Sequence, residues 1–201
     1  AASAAARAAA AGFACVKLKV GVGDDAGRVA AVRAAGGPAM ALRLDANGAW
    51  DVEQAVRTIE ALAPAGLELV EEPVHGLEGM AAVRARVPVR VSLDESAALP
   101  GALTAAVADA VCLKVSRAGG IAALLAQASL VRATGADVYL ASVYDGPRGV
   151  AAAVHCAAAL RVDLPCGLAT LGAFSEWADG SPLPVVQGAI AVPSAPGLGV
   201  P

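Results

Sequence analysis

The stretch MALRLDA at residues 40–46 is an apolar run that ends in the acidic residue Asp45. An alanine-rich segment of helical character, VEQAVRTIEALAPAG, follows it, and a second apolar run, LELVEEP at 67–73, comes next. Strand, helix and strand in this order are typical of a βαβ unit, in which the two strands run parallel. Both runs are apolar on both faces, as buried parallel strands are.

The same unit recurs along the rest of the chain. Further strand-like runs are CVKLKV at 15–20, VRVSLDE at 89–95, AVCLKVS at 110–116, DVYLAS at 137–142 and, more weakly, LPCGLAT at 164–170. Repeated βα units form either a doubly wound sheet or a closed barrel. No G-x-G-x-x-G follows the first strand, which disfavours a dinucleotide-binding sheet.

Charged residues at the strand ends favour the barrel. Most of the predicted strands carry a charge near the carboxyl end, where the strands of a βα barrel converge on one mouth. These residues are Lys17, Lys19, Asp45, Glu71, Glu72, Asp94, Glu95 and Lys114. We therefore predict an α/β fold, a TIM-like (β/α)7β barrel that is incomplete at its N-terminus.

The predicted organisation is one catalytic domain and a tail. Residues 1–180 form the partial barrel, and residues 181–201 form a C-terminal tail that would return toward a capping domain. The opening AASAAARAAAAGF is typical of a helix that ends at Gly12 and not of a signal peptide. Because the chain has no initiator methionine, we expect it to begin part-way through a domain.

Composition argues against several classes of protein. The net charge is −3 and the basic residues are scattered, so we expect no nucleic-acid partner. No apolar run is long enough to cross a bilayer, so we expect no membrane partner. The four cysteines have no zinc-site spacing and read as small apolar residues in a reduced, cytoplasmic compartment. Assembly into a homo-oligomer is left open.

Three carboxylates, one from each of three successive strands, suggest a metal site. Asp45, Glu71 and Asp94 could surround one hard cation, and Mg²⁺, with Mn²⁺ as the alternative, prefers such oxygen ligands. Each acid alone would more often be a helix cap or a surface charge. Glu72 and Glu95 would point to the other face and support the site from behind. Asn47 either orients the loop after Asp45 or forms a simple turn.

The lysines are unusual in this composition. Of fifteen basic residues only Lys17, Lys19 and Lys114 are lysines, and lysine, unlike arginine, can lose its proton. Lys17 and Lys19 share one strand face, and two neighbouring ammonium groups lower each other's pKa. We predict Lys19 as the general base, Lys17 as its partner, and Lys114 as a group on the opposite side of the substrate.

Glycine-rich turns offer candidate sites for the carboxylate of a small-molecule substrate. The segment SVYDGPRG at 142–149, which begins with Ser142, leads into a helix whose N-terminus could bind an anion. Gly119 and Gly167 lie in similar turns after their strands. An ordinary turn is an equally good interpretation of each of these segments.

Together these motifs resemble the enolase superfamily, and within it the muconate-lactonizing subgroup. KLK, LDANGAW, VEEP, LDES and LKVSRAGG occur in that family's order and spacing. The resemblance implies Mg²⁺ ligation by Asp45, Glu71 and Asp94, and removal by Lys19 of the proton next to a carboxylate. It also implies an N-terminal capping domain, without which we expect the 201-residue chain to be inactive.

The resemblance also suggests which reaction to expect. LRLDANGAW and CGLATL are similar to the o-succinylbenzoate synthase family, lyases of menaquinone synthesis that dehydrate a cyclohexadiene carboxylate. LKVSRAGGI and PSAPGLGV look more like cycloisomerases and N-acylamino acid racemases. Dipeptide epimerases carry an Asp-x-Asp where this chain reads VYDGP. A barrel kept for binding or assembly, without catalysis, is the remaining alternative.

Overall fold

The structure is a computed structural model that describes residues 1–177 and 180–201. The chain forms two compact units, Ala1–Val111 and Cys112–Pro201, and the boundary between them falls inside one β-strand. The strands form a six-stranded sheet in the order β1-β2-β3-β4-β5-β6. A separate two-stranded antiparallel hairpin lies near the C-terminus.

The first unit alternates strands and helices. Its elements in chain order are α1 (Ala2–Ala10), β1 (Cys15–Lys19), α2 (Asp25–Gly36), β2 (Ala41–Asp45), α3 (Val52–Leu62), β3 (Leu67–Glu71), α4 (Leu77–Arg84), β4 (Val91–Leu93) and the first half of β5 (Ala110–Leu113). The strands β1 to β5 pair in parallel. Sequence order therefore equals spatial order, as βαβ units predict.

Local sequence signals explain where the helices begin. The carboxylate of Asp24 accepts a hydrogen bond from the Gly27 N–H at the start of α2. The carboxylate of Asp51 does the same for the Gln54 N–H at the start of α3. Each acid satisfies an N–H that has no partner within its helix, and its charge complements the positive end of the helix dipole.

The core explains why β2 and β3 are mostly apolar. Leu42 and Arg43 on opposite faces of β2, and Leu69 and Val70 on opposite faces of β3, are each at most 3% exposed, which shows that both faces of these strands are covered. Strand register then aligns the strand ends, because Lys19 pairs with Asp45 and Asp45 pairs with Glu71. Charges at the ends of consecutive strands are thereby brought side by side.

The second unit continues the alternation. It contains the rest of β5, α5 (Val115–Ala118), α6 (Ile121–Ala133), β6 (Asp137–Leu140), α7 (Pro147–Leu160), and the hairpin of β7 (Val185–Val186) and β8 (Ala189–Ile190). The weak strand predicted at 164–170 is wrong: the segment makes only one isolated parallel bridge, between Gly167 and Ala141. Pro165 has no N–H to donate to a strand ladder, and the Thr170 N–H turns back to the Leu168 carbonyl.

The cysteines and the length of the helices complete the description of the fold. All four cysteines are free, and Cys112 and Cys156 are buried. Burial raises the pKa of the half-buried Cys15 thiol to about 11. Within the described part of the chain, no helix combines the length and the hydropathy needed to cross a membrane.

Candidate metal centre

Three carboxylates lie at the carboxyl ends of consecutive strands in the first unit. Asp45 is the last residue of β2, Glu71 is the last of β3, and Asp94 follows β4 directly. Their exposures are only 1%, 0% and 6%. A carboxylate oxygen of Glu71 lies within 4.8 Å of one of Asp94. The predicted ligand residues are thus brought together, buried, at one end of the sheet.

Lys17 links two of these acids. Its Nζ lies 2.8 Å from Oδ2 of Asp45 and 2.7 Å from Oε1 of Glu71. Burial lowers the pKa of Lys17, but the charge of Glu71 and hydrogen bonds to both acids outweigh burial and raise it above its ordinary value. Among the groups of the chain itself, contact with two carboxylates therefore dominates the pKa of Lys17; the pKa lowering expected next to a metal cation stays a prediction.

The pKa of Asp45 is shifted in the opposite direction, below its ordinary value. Burial would raise the pKa of the Asp45 carboxyl, but hydrogen bonds and charge from Lys17 and then Lys19 hold it below its usual value. The group is therefore ionised at neutral pH and available as an oxygen ligand. Its Oδ1 also accepts the backbone N–H of Asn47 at 3.1 Å, which orients the carboxylate.

Lys19 is the more accessible of the two strand lysines. Its side chain is 59% exposed, compared with 39% for Lys17. Its Nζ lies 3.1 Å from Oδ2 of Asp45 and donates a hydrogen bond to Oδ1 of Asn47. An amine that reaches the solvent from a strand end can contact a small molecule directly, whereas Lys17 is held between Asp45 and Glu71.

Asn47 and Glu95, both predicted to support the site, contact each other. The Asn47 amide nitrogen donates to Oε1 of Glu95 at 3.0 Å. The other carboxylate oxygen of Glu95, Oε2, is buried and has no hydrogen-bond partner among the described residues. Asn47 therefore joins the β1 lysine to the loop after β4, a role that its Asn-Gly turn alone does not indicate.

Glu72 supports the site through hydrogen bonds to the backbone, a means that the sequence did not indicate. It is fully buried and accepts hydrogen bonds from the backbone N–H groups of Asp94, at 2.8 Å, and Ser96, at 3.0 Å, and from the Ser96 hydroxyl. It also contacts the exposed ring of His75, at 3.3 Å. Glu72 thus ties the backbone that carries Asp94 to the end of β3, and among the described residues it forms no ion pair with a lysine or arginine.

The donor set fits a hard divalent cation. Asp45, Glu71 and Asp94 offer only oxygen atoms, which Mg²⁺ and Mn²⁺ prefer. All three acids are buried at the ends of consecutive strands. Buried carboxylates that lie close together repel each other, and a bound cation would reduce that repulsion. The residues that would hold the cation are Asp45, Glu71 and Asp94.

Lys114 and Gly119 lie close together in the sequence of the second unit. Lys114 follows β5 directly, is 9% exposed, and precedes the single helical turn of α5. Gly119 ends that turn with a φ of 92°, and Gly120 begins α6. The left-handed backbone of Gly119 is thus explained by the helix end, and its predicted contact with a substrate anion stays a prediction.

Ser142 and Gly167 are brought together within the second unit. The Ser142 N–H donates to the Gly167 carbonyl at 3.1 Å, and the Gly167 N–H donates to Leu140 at 2.8 Å. The Ser142 hydroxyl lies 2.5 Å from that of Thr170. The Gly167 N–H is therefore used inside the unit, and the predicted contacts of Ser142 and Gly167 with a substrate stay predictions.

The fold and the first unit's strand ends define a class of protein. Parallel strands alternate with helices, and acids and lysines stand at the carboxyl ends of the strands, where βα-barrel enzymes have their active sites. The whole chain, residues 1–201, matches the family model described as Enolase C-terminal domain-like. The protein belongs to this family of the enolase superfamily, which confirms both the resemblance and the predicted fold class.

Curated relatives narrow the comparison. The chain is 41% identical over 191 residues to the o-succinylbenzoate synthase of Thermobifida fusca, covering 89% of this chain and 59% of the relative. It is 34% identical over 195 residues to muconate cycloisomerase 1 of Rhodococcus opacus, covering 92% of this chain and 52% of the relative. The chain thus spans little more than half the length of these relatives.

Solved structures agree with the fold. A substrate-liganded L-Ala-D/L-Glu epimerase from Bacillus subtilis has a TM-score of 0.90 at 30% identity, over 99% of this chain and 58% of that one. The muconate lactonizing enzyme of Pseudomonas putida has a TM-score of 0.88 over all of this chain and 59% of the other, but at 23% identity that likeness concerns the fold alone. Relatives with different reactions therefore share this architecture.

Proposed function

We propose that the protein is a lyase that removes the proton next to a carboxylate, and that its reaction is the syn dehydration catalysed by an o-succinylbenzoate synthase. Water leaves as a proton from the carbon next to the carboxylate and a hydroxide from the neighbouring carbon. A new C=C bond then completes an aromatic ring. The observation that carries this proposal is the exposed Lys19 amine beside a buried triad of acids.

The choice of reaction rests on the relatives. The Thermobifida fusca protein, at 41% identity, is an o-succinylbenzoate synthase, and the match covers 89% of this chain. Three lysines persist in a composition where arginine supplies the other twelve basic residues. This retention favours a lysine that gains and loses a proton, which arginine cannot do at neutral pH.

Each residue of the proposed site has its own role in the reaction. Lys19 takes the α-proton, and Lys17 remains an ammonium because Asp45 and Glu71 raise its pKa. Asp45, Glu71 and Asp94 hold Mg²⁺, for which Mn²⁺ can substitute. A divalent cation there, when bound, stabilises the negative charge that develops on the substrate carboxylate as the proton leaves. Lys114 supplies positive charge on the other face of the substrate.

A second candidate function is racemisation or cycloisomerisation. It is favoured by the muconate cycloisomerase relative at 34% identity and by the L-Ala-D/L-Glu epimerase structure with its TM-score of 0.90. A racemase or epimerase moves a proton from one face of a carbon to the other, so Lys19 and Lys114 would both have to exchange protons. Dehydration on one face requires only that Lys114 be positive.

That difference gives the test, carried out in the full-length protein. Lys114→Arg keeps the charge but cannot act as a base at neutral pH, while Lys114→Ala removes both properties. For dehydration we expect Lys114→Arg to retain at least about tenfold more turnover than Lys114→Ala. This ratio corresponds to a difference of about 1.4 kcal/mol in the activation free energy. Turnover of the cyclohexadiene carboxylate is followed by ultraviolet absorbance of the aromatic product.

Two outcomes would overturn the proposed reaction. If Lys114→Arg and Lys114→Ala are equally inactive, the purely electrostatic role of Lys114 is wrong. If the parent protein inverts an N-acylamino acid or a dipeptide in D₂O, with deuterium incorporation, faster than it dehydrates the cyclohexadiene carboxylate, it is a racemase or epimerase. Arg117→Ala, three residues away on α5, is the matched control for loss of a positive charge.

A further inference from the structure

A short hydrogen-bonded chain connects Lys19 to an acid that is not one of the three proposed metal ligands. The Lys19 amine donates to Oδ1 of Asn47, and the Asn47 amide nitrogen donates to Oε1 of Glu95 at 3.0 Å. The three residues come from β1, the loop after β2 and the turn after β4. A contact between three separate segments is tertiary and does not follow from the local sequence.

The direction of the Asn47 amide is set by its partners. An asparagine side chain has one end that accepts and one end that donates. An ionised Glu95 can only accept, so it selects the NH₂ end of Asn47. The carbonyl end must then face Lys19. With the amide reversed, an NH₂ group would face an ammonium group and a carbonyl would face a carboxylate, and both contacts would be unfavourable.

The backbone of Asn47 is fixed as well. Its φ of 46° is in the left-handed region, and its N–H donates to Oδ1 of Asp45 at 3.1 Å. The next N–H, that of Gly48, donates to the Glu72 carbonyl at 2.7 Å. A Cβ on Gly48 would lie 2.3 Å from Nε2 of His75, so this turn is closely covered. The only freedom left to Asn47 is rotation of its side chain, which Glu95 restricts.

We propose that Glu95, acting through the Asn47 amide, is a positioning residue that holds the Lys19 amine at the place where it meets the substrate. This inference rests on the proposed function, in which Lys19 is the base. Lys19 is a long side chain that is 59% exposed, and without Asn47 its contact among the described residues is Asp45. A base held about 1 Å from its productive position can lose about a hundredfold in rate.

An alternative role for Glu95 is simple stabilisation of the turn after β4. The buried Oε2 of Glu95, which has no hydrogen-bond partner among the described residues, argues against that role, because an unsatisfied buried acceptor reduces stability. A carboxylate kept for stability alone would be better replaced by a neutral residue. The two roles differ in what the removal of Glu95 changes: the folded fraction, or the rate of proton abstraction.

The experiment uses Glu95→Gln, Asn47→Gly and the double variant in the full-length protein. Glutamine can donate as well as accept, so it no longer selects one direction of the Asn47 amide. Glycine at position 47 removes the amide and tolerates the left-handed backbone. Matched controls are Glu53→Gln and Gln54→Ala, two exposed residues in the first turn of α3.

We expect each single variant to lower kcat about tenfold, with KM and the Kd for Mn²⁺ changed less than about twofold. The double variant should also be about tenfold slower and not a hundredfold, because Glu95 acts only through Asn47. The primary isotope effect on kcat with α-deuterated substrate should increase, since proton abstraction becomes more rate-limiting. The two controls should match the parent protein.

Several results would overturn the inference. Additive losses in the double variant would show that Glu95 acts without Asn47. A changed Mn²⁺ affinity, or a loss explained by a lower Tm, would assign Glu95 to the structure of the site. If Glu95→Gln does not fold, Glu95→Asp replaces it, because its shorter carboxylate cannot reach the amide, and the same outcomes apply.

Failure of the proposed function looks different. If Lys19→Ala keeps its turnover, Lys19 is not the base and the proposed function is wrong. If Lys19→Ala is inactive while Glu95→Gln and Asn47→Gly stay within twofold of the parent, only the positioning role is wrong.

Discussion

Strand β2 carries two buried charges that differ in how they are compensated. Arg43, in the middle of the strand, is 3% exposed and pairs through Nε with the carboxylate of Glu68. Asp45, two residues further on, is 1% exposed and meets two lysines within a group of five acids. The first cluster contains an ion pair in the middle of a strand, and the second gathers several buried acids at the strand ends.

The difference separates a structural ion pair from a functional site. A buried charge is tolerated when an opposite charge lies beside it, and Arg43 has such a partner in Glu68. A cation bound among the acids around Asp45 would reduce the electrostatic repulsion between their carboxylates. Burial of a charged residue is therefore not enough to indicate function, whereas several like charges brought together at strand ends do indicate it.

Exchanging lysine for arginine, or arginine for lysine, should have the largest effect. It should lower kcat only at the cluster around Asp45. Lys19→Arg should lower kcat about 10³-fold or more, because arginine cannot accept the proton at neutral pH. Arg43→Lys makes the reverse exchange in the other cluster and should leave kcat within about threefold, because Arg43 meets no substrate. Steady-state turnover of both variants at pH 7.5 checks this. Equal losses would show that the two clusters are not functionally distinct.

The affinity for a metal ion should show the second-largest difference between the two clusters. Glu71→Gln should weaken Mn²⁺ binding about a hundredfold or more, because a fully buried anionic ligand becomes neutral. Glu68→Gln makes the same change on the same strand and should shift the Kd less than about twofold. Titration of chelator-treated protein, followed by the electron spin resonance of free Mn²⁺, measures both. A large effect of Glu68→Gln would contradict the assignment.

The free energy of unfolding should depend on the Arg43–Glu68 ion pair, although kcat and metal affinity should not. Arg43→Met leaves Glu68 without its buried partner and should lower the free energy of unfolding by about 1–3 kcal/mol, discounted because the Glu68 side chain is 23% exposed. Arg43→Met with Glu68→Leu should recover most of that loss, since no charge is left unpaired. Urea unfolding with constant chelator checks both. A double variant as unstable as the single would refute the ion-pair explanation.

The smallest effect should be a pH-dependent one at Lys17. The contact with Lys17 holds the pKa of Asp45 below the ordinary value. This contact therefore stabilises the fold above that ordinary pKa, and the stabilisation is lost as the pH falls. With chelator present, Lys17→Met should cost about 1 kcal/mol near pH 7, a value reduced because Lys17 is 39% exposed. The cost should shrink below about pH 4 as the acids protonate.

Unfolding curves of the parent and Lys17→Met between pH 3 and 8 give the measurement. Arg28→Met, which removes a base paired with Asp25 in the first turn of α2, is the control and should show a smaller pH dependence. A difference for Lys17 that is constant with pH would mean that packing, and not charge, accounts for its contribution.

Periodicity predicted the fold because each βα unit has a local signal. Six of the predicted strands form, and β2, β3, β4 and β5 are the most deeply buried of them. The misassigned segment at 164–170 has the right residue types but contains Pro165, which cannot complete a strand ladder. Local composition therefore predicts where strands are permitted, and pairing with a neighbour determines whether they form.

The acids of the site were predictable for a similar reason. Asp45, Glu71 and Asp94 recur at strand ends, and parallel pairing brings strand ends together. Glu72 was not, since its backbone turns to a φ of 40° directly after β3 and directs the carboxylate at the next loop. No alternation rule applies to a residue once the strand has ended.

The sequence by itself determined the class of fold, the family and the residue types at the strand ends, because those depend on patterns along the chain and on which chemistry each side chain permits. Tertiary structure alone decided the direction of the Lys17 pKa shift and the connection of Lys19 through Asn47 to Glu95. The physical reason is distance. A pKa and a hydrogen-bonded chain depend on which groups lie within a few ångströms, and residues 28 and 48 positions apart in the chain meet only after folding.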